Sequence, residues 1–371
     1  MNVFQGYNNL QCIKWFHFFI DGPRKTVKRE GPPHTAYNTT QPYFATIWKR
    51  NSLLRQKCIL AKDRLTSHKV QFFNWKNLFF CKVPKCGSTF GMQVFEALQK
   101  IKSAGSMRLF HHISPLNTTT NLSHTNGSEI IYHVTRNPYS RLYSAYIDKF
   151  YRPEYLEHSK AINDYFKRSC NITVTFEEFL DYILRRNPQN FHWQPISDLC
   201  DPCFVPYNVI IKQETFNTDV RFILDKLLLP EHLKEDFIRN LVTKHTENDI
   251  KEVTGEMIAF SKNNPCVPFQ IFCEKMWKSF QIQGYISDFV PFPVHEFKNL
   301  NFDNETAIVK TFLKGTKGIV MNEVRKRLQR HKYFDQAYST ISNSILQDLR
   351  NAYKNDFDLY GYSPELSSGI H

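Results

Sequence analysis

Short apolar runs that end in turn formers, each followed by a stretch of helical periodicity, organise the middle of the chain. The run from Asn77 to Pro84, NLFFCKVP, is a compact apolar segment closed by proline, the pattern of a strand buried on both faces of a parallel sheet. Beyond it Phe90, Val94, Phe95, Leu98 and Ile101 recur at helical spacing and predict an amphipathic helix from Thr89 to Lys102. A second strand is expected from Glu129 to Val134. The segment after it, RNPYSRLYSAYIDKF, turns at once into a helix, with Asn137 as N-cap and Pro138 at the first helical position. A third strand, Val209 to Ile211, precedes a helix start at Thr215. Strands alternating with helices predict an α/β fold of three layers, a central parallel sheet flanked by helices. Ligands of such sheets bind beyond the carboxyl ends of the strands, where Lys85 and Arg136 fall.

The flanks read differently. Residues 1–70 are rich in turn formers and basic residues, and DGPRKTVKREGPPH (Asp21 to His34) reads as an exposed connector. Toward the C-terminus the chain becomes helical. GIVMNEVRKRLQRH is basic and periodic, and Ile341, Ile345, Leu349, Tyr353 and Phe357 form another stripe; both are expected to be core-facing helices rather than binding elements. No internal repeat or low-complexity tract interrupts this order. With 371 residues, 42% of them hydrophobic, the chain can bury a substantial core and is not a disordered protein.

Charge narrows the partners. Lysine and arginine total 48 against 35 acidic residues, a formal charge of +13, which favours a polyanion. No zinc-finger spacing, aromatic ribonucleoprotein signature or arginine-rich tail is present, so nucleic acid is set aside. The cysteines number nine, a count that by itself fits free thiols or disulfides. Sequons at Asn38, Asn117, Asn121, Asn126, Asn171 and Asn304 tilt the reading toward the secretory pathway, three of them crowding into one expected lumenal loop. Leu10 to Ile20 is the one candidate anchor. It is too short for a bilayer, which takes about 20 apolar residues, and Lys14 and His17 interrupt it, so it reads as an ordinary buried segment or the start of a truncated gene model.

The candidate chemistry lies in the two loops. PKCGST is no Walker A motif, since lysine precedes the glycine instead of the hydroxyl residue. Its parts still suit phosphate: Gly87 admits close backbone approach, Gly87, Ser88 and Thr89 present N–H groups at a helix start, and Lys85 adds charge. Taken alone, the loop equally suits a capped turn between strand and helix. Arg136 at the next strand end, with Ser144 two helical turns beyond Pro138 and Arg141 on the same helix, can hold a second phosphate. Two such sites on neighbouring strands imply a ligand with two separated phosphates.

These segments together resemble the Golgi carbohydrate sulfotransferases, particularly the branch of chondroitin and dermatan 4-O-sulfotransferases. Val83-Pro84-Lys85 with Thr89 is similar to that family's V-P-K-x-x-x-T loop, and Arg136 to Phe150 to its R-[DN]-P-[FY]-x-R-L-x-S-A-Y-x-D-K-F motif. HWQPISDLCDPC (His192 to Cys203), the segment with Tyr207, Lys212 and Glu214, and YKNDFDLYGY (Tyr353 to Tyr362) extend the likeness over about residues 77–362. Departures are Phe90-Gly91-Met92 where the family often has N-W-K, and the lack of a visible membrane anchor.

The resemblance implies a P-loop-like sulfotransferase domain over residues 71–365, after a stem at 1–70. It implies 3′-phosphoadenosine 5′-phosphosulfate (PAPS) as co-substrate, and no metal. Pro84, Lys85, Cys86, Gly87, Ser88 and Thr89 would hold its 5′ end, and Arg136, Arg141 and Ser144 its 3′-phosphate. Lys85 would also neutralise the departing phosphate oxygen. His112, with His111 beside it, resembles a family histidine that takes the acceptor proton, and Glu96 is a rival. The implied acceptor is an anionic glycan or proteoglycan in the Golgi lumen, the chain being held to the membrane by an anchor not evident here. A zinc site at His192, Cys200 and Cys203 lacks a fourth ligand; disulfides are the expectation there, and a local one between Cys266 and Cys273 is a candidate. A kinase would need the missing Walker lysine, and a non-catalytic glycan-binding relative would keep the fold without turnover.

Overall fold

The computed structural model describes residues 42–61, 69–75, 77–88, 91–92, 118–120, 122, 129–152, 156–168, 174–186, 188–227, 231–232, 234–235 and 245–366. The expected helix from Thr89 to Lys102, apart from Gly91 and Met92, lies outside them, and with it Thr89 and Glu96, as do His111, His112 and the Leu10 to Ile20 segment.

Five strands form one sheet: β1 (Phe72–Trp75), β2 (Leu78–Cys81), β3 (Thr118–Thr119), β4 (Ile130–Thr135) and β5 (Val209–Lys212), in the spatial order β3-β1-β2-β4-β5. The three strands expected from the apolar runs are the parallel set, β2 beside β4 beside β5, with Phe80 opposite Tyr132 and His133 opposite Ile210. Leu78 and Phe80, Ile131 and Val134, and Val209 to Ile211 are buried, as helix-covered parallel strands require. The sequence reading did not contain β1 and β3. They run antiparallel at one edge, where a tight turn returns the chain from Trp75 to Leu78.

The stretch expected to be a stem, residues 1–70, contains a helix, Pro42–Ala61. Arg50 pairs with Asp219, the Tyr43 hydroxyl donates to Asp225, Asn51 donates to the Asn208 carbonyl, and Cys58 is bonded to Cys203. A second disulfide joins Cys81, at the end of β2, to Cys200. The candidate pair Cys266 and Cys273 does not form: Cys273 is a buried free thiol and Cys266 is bonded elsewhere.

After β5 the described chain is helical. His245–Ser261, Phe269–Ile282 and Glu305–Gly318 close on their own core of Phe272, Met276, Trp277, Phe280, Ile308 and Phe312. The stripe from Ile341 to Phe357 is buried as expected; Ile345 and Leu349 lie on the helix Asn343–Ala352, Phe357 on Lys354–Tyr360, with Ile341 before them and Tyr353 between, all in one core with Leu142 and Phe179. The basic helix Glu323–Ser339 departs from expectation. It buries only Gln329 and Tyr338, while Val324 and Leu328 stand 54% and 47% exposed. Its apolar residues are too few to fill a core-facing stripe, and Arg327 and Arg330 line a cavity instead. Among the described residues, no helix is long and apolar enough to cross a membrane.

Candidate functional site

Beyond β2 the backbone makes two left-handed excursions, Lys85 at φ 66° and Gly87 at φ 71°. A Cβ at Gly87 would stand 2.6 Å from Gln213 Oε1, so only glycine lets the loop pass there. Lys85 carries the strain of a non-glycine in that region, of order 1 kcal/mol or more, and two arginines of the next motif hold the loop in place. Arg136 Nη1 donates to the Lys85 carbonyl at 2.9 Å. Arg141 Nε donates to the Pro84 carbonyl at 3.1 Å.

The second motif is built from its cap outward. Asn137 Oδ1 accepts from the Tyr139 and Ser140 amides, and Pro138 opens the helix Pro138–Tyr146, as the sequence predicts. The helix runs on into a π-helical turn, Ile147–Tyr151, closed by Arg152 N–H to the Ile147 carbonyl at 3.2 Å. Wide turns of this kind occur frequently at functional sites. This one carries Asp148, whose carboxylate meets Lys85 Nζ at 2.6 Å, Arg152 Nη1 at 3.2 Å and Lys149 Nζ at 3.5 Å. Burial alone would raise the Asp148 carboxyl. Lys85, then Lys149 and Arg152, outweigh it and hold the group well below the usual carboxylate range. Three cations around one carboxylate leave an excess of positive charge for a further anion.

Lys85, Arg136, Ser140, Ser144 and Asp148 share one cavity of about 680 Å³, within the range of nucleotide-sized pockets. Arg136 Nε also donates to Ser140 Oγ at 3.0 Å. Burial pushes its guanidinium downward, with Cys86 and Glu214 opposing; an arginine starts so high that it remains a cation. Lys212, Arg327, Arg330 and His331 add basic groups to the lining, and Tyr143, Ile147, Ile282 and Phe334 supply apolar walls. Glu214 accepts from the Asn137 amide at 2.9 Å and the Tyr362 hydroxyl at 3.0 Å, tying β5 to the motif helix and the C-terminal segment.

Of the expected ligand residues, Lys85, Arg136 and Ser144 line the cavity, whereas Pro84, Cys86, Gly87, Ser88 and Arg141 are not among its lining residues. Arg141 is 1% exposed, and its guanidinium donates to the carbonyls of Pro84, Phe191 and Gln194. It braces the loop from inside the protein and does not line the cavity. Cys86 is buried, and burial raises its thiol to about 12, so it is neither a nucleophile nor a surface for a ligand. Cys200 and Cys203 are both in disulfides, which removes the zinc reading of that segment, and no metal-binding cluster occurs among the described residues. The sequence reading gave no role to Asp148 or to the three basic residues of Glu323–Ser339. Asp148 carried a signal, its place in the D-K-F end of the motif; the basic helix carried only charge.

The family model described as the sulfotransferase family matches residues 72–264, which include both loops and all the parallel strands. The chain belongs to the sulfotransferase family. Among curated proteins, this sulfotransferase is 28% identical to carbohydrate sulfotransferase 14 of Mus musculus over 211 residues, 52% of each chain. It is 26% identical to carbohydrate sulfotransferase 8 of Mus musculus over 232 residues, 54% of this chain and 55% of that one. A shorter match of 110 residues to carbohydrate sulfotransferase 14 of Danio rerio reaches 33% identity, over 27% of this chain and 30% of that one. The matches thus span about half the length of these relatives, or less. No solved structure matches the chain.

Proposed function

We propose that this sulfotransferase moves a sulfuryl group from PAPS to a hydroxyl of an anionic glycan, by direct in-line transfer. The observation that carries the reading is the pair of cations Lys85 and Arg136, set at the ends of neighbouring parallel strands and opening on one cavity. Their spacing along the sheet suits an anion with phosphates at two ends, and the apolar wall of Tyr143, Ile147, Ile282 and Phe334 suits a base between them. Gly87, at φ 71°, turns the backbone N–H groups that follow it into position to meet the 5′ end.

In this reading Lys85 stands beside the oxygen that departs from sulfur and offsets its developing charge. Asp148 holds the ammonium in position until the more highly charged donor competes for it. Gly87 and Ser88 offer donors to the 5′-phosphate, with Thr89 following, and Arg136 with Ser140 and Ser144 takes the 3′-phosphate. The names of the curated relatives support a carbohydrate acceptor, and the net charge of +13 supports an anionic one. Disulfides at Cys58–Cys203 and Cys81–Cys200 favour an oxidising compartment, which fits residence in the Golgi lumen.

The test is a thermal-shift comparison. Adenosine 3′,5′-bisphosphate, the desulfated product, is expected to raise the melting temperature at concentrations where ATP with magnesium does not. Equal shifts with both would remove the two-phosphate assignment.

A further inference from the structure

The turn Asn190 to Pro195 lies outside the cavity but beside its reactive end. Arg141 fastens it there: one guanidinium bridges the carbonyls of Phe191 and Gln194, which flank His192 and Trp193, to the carbonyl of Pro84, the residue before Lys85. Asn190 Oδ1 accepts the His192 backbone N–H at 2.9 Å and lies 2.8 Å from His192 Nδ1. The backbone amide can only donate, so this atom is the amide oxygen, and Nδ1 must carry the ring proton. That fixes the tautomer and leaves the lone pair on Nε2, for which no hydrogen-bond partner occurs among the described residues. Phe191, 55% exposed, lies 4.4 Å from the imidazole, centroid to centroid, and offers an apolar face of the kind that stacks on a sugar ring.

We propose that His192 is the general base of the transfer, receiving the proton of the acceptor hydroxyl at Nε2. The proposal rests on the sulfotransferase reading and adds to it the residue that activates the acceptor. In the step, the acceptor oxygen forms its bond to sulfur as the bond from sulfur to the 5′-phosphate oxygen breaks. That electron pair leaves with the phosphate beside Lys85, and the acceptor proton passes to Nε2 and then to water. The neighbouring carboxylates are committed elsewhere, Asp148 to three cations and Glu214 to the Asn137 amide and Tyr362.

The charged groups around the ring explain how it stays a base. Burial first, then Lys149 and Lys85, lower its pKa to about 3, against Asp148, with His158 from the helix Leu156–Tyr165 lowering it further. The imidazole is therefore neutral before the donor binds. A polyanion set beside Lys85 and Lys149 offsets the share of the lowering that comes from those two cations and so strengthens the base, while burial continues to hold its pKa below the ordinary value.

The experiment measures sulfate transfer by the full chain and its His192→Gln, Asn190→Ala and His112→Ala variants across pH, with calorimetric binding of adenosine 3′,5′-bisphosphate. His192→Gln is expected to lower kcat at least ~100-fold, to abolish the acidic limb of the kcat profile and to leave bisphosphate affinity within about twofold. Asn190→Ala keeps the ring but frees its tautomer; a kcat reduced roughly tenfold with a shifted limb is expected, and it carries the test if His192→Gln does not fold. An intact acidic limb in either variant, or its loss in His112→Ala alone, overturns the assignment, as does loss of bisphosphate binding in His192→Gln. If the wild-type chain transfers no sulfate while still binding the bisphosphate, the enzymatic reading fails and the base assignment with it; an active wild type with an unimpaired His192→Gln sinks the base alone.

Discussion

Replacing Arg141 by lysine separates a brace from a ligand contact. The guanidinium makes hydrogen bonds to three carbonyls, those of Pro84, Phe191 and Gln194, from a position 1% exposed. Lysine keeps the charge, but its single ammonium cannot span carbonyls that a planar fork reaches in three directions. It retains one bond and leaves two acceptors, at least one of them part-buried, unpaired. Hydrogen bonds to a charged group contribute ~1.5 to 3 kcal/mol each, so the lower figure for two of them gives a destabilisation of about 3 kcal/mol. At roughly 2 °C per kcal/mol, the value for large domains, the melting temperature falls by about 6 °C. Urea unfolding with parallel calorimetric titration of adenosine 3′,5′-bisphosphate is the assay. A lysine variant that melts with the wild type yet binds the nucleotide weakly would refute the brace, because removing a contact to ligand alone leaves the free protein's stability within about 0.5 kcal/mol.

Three further outcomes are expected. Lys85→Ala should cut turnover by ~100-fold or more, whereas Arg136→Ala should act mainly on the KM for the donor; single-turnover kinetics at saturating donor tell them apart. Asp148→Asn should destabilise the protein at neutral pH by leaving Lys85, Lys149 and Arg152 facing one another. Because the folded carboxyl is held below its unfolded value near 3.9, its contribution is complete above that pH and fades as pH falls toward the lower folded value. The stability gap between wild type and Asp148→Asn, from urea midpoints in a pH series, should accordingly stay constant from pH 8 to 5 and narrow below about pH 4. Replacing Cys58 and Cys203 together by alanine removes a cross-link that, with Cys81–Cys200 already closing most of the chain between them, constrains a further loop of roughly 28 residues, with an expected loss of about 3 to 4 kcal/mol from the unfolded-chain constraint, read as a lower urea midpoint under non-reducing conditions.

The elements that position the site were legible where local chemistry dictates them. Leu78 to Cys81 and Ile130 to Thr135 are apolar runs too short for helices, and the Asn137-Pro138 pair announces its helix by capping alone. What pairs distant segments was not legible. The Phe72–Trp75 strand has only four residues and acquires its identity by pairing with Leu78–Cys81. The helix Pro42–Ala61 declares its place through Arg50, Asn51 and Cys58, whose partners lie more than a hundred residues away. Helical spacing put Arg141 near Ser144 but could not say that its fork would find three carbonyls inside the protein. Charge marked Arg327 and Arg330 as basic without showing that the helix folds back over the cavity. Lys85 in the left-handed region was likewise hidden, since nothing local favours it; the carbonyl contact from Arg136 does.

The central claim is tested most directly by incubating the purified full chain with PAPS carrying labelled sulfate and a panel of desulfated chondroitin, dermatan, heparan and N-glycan acceptors. The account predicts label on at least one glycan, in an amount that depends on Lys85 and needs no added metal. Nucleotide binding without label on any acceptor would contradict it and leave a glycan-binding protein built on the sulfotransferase fold.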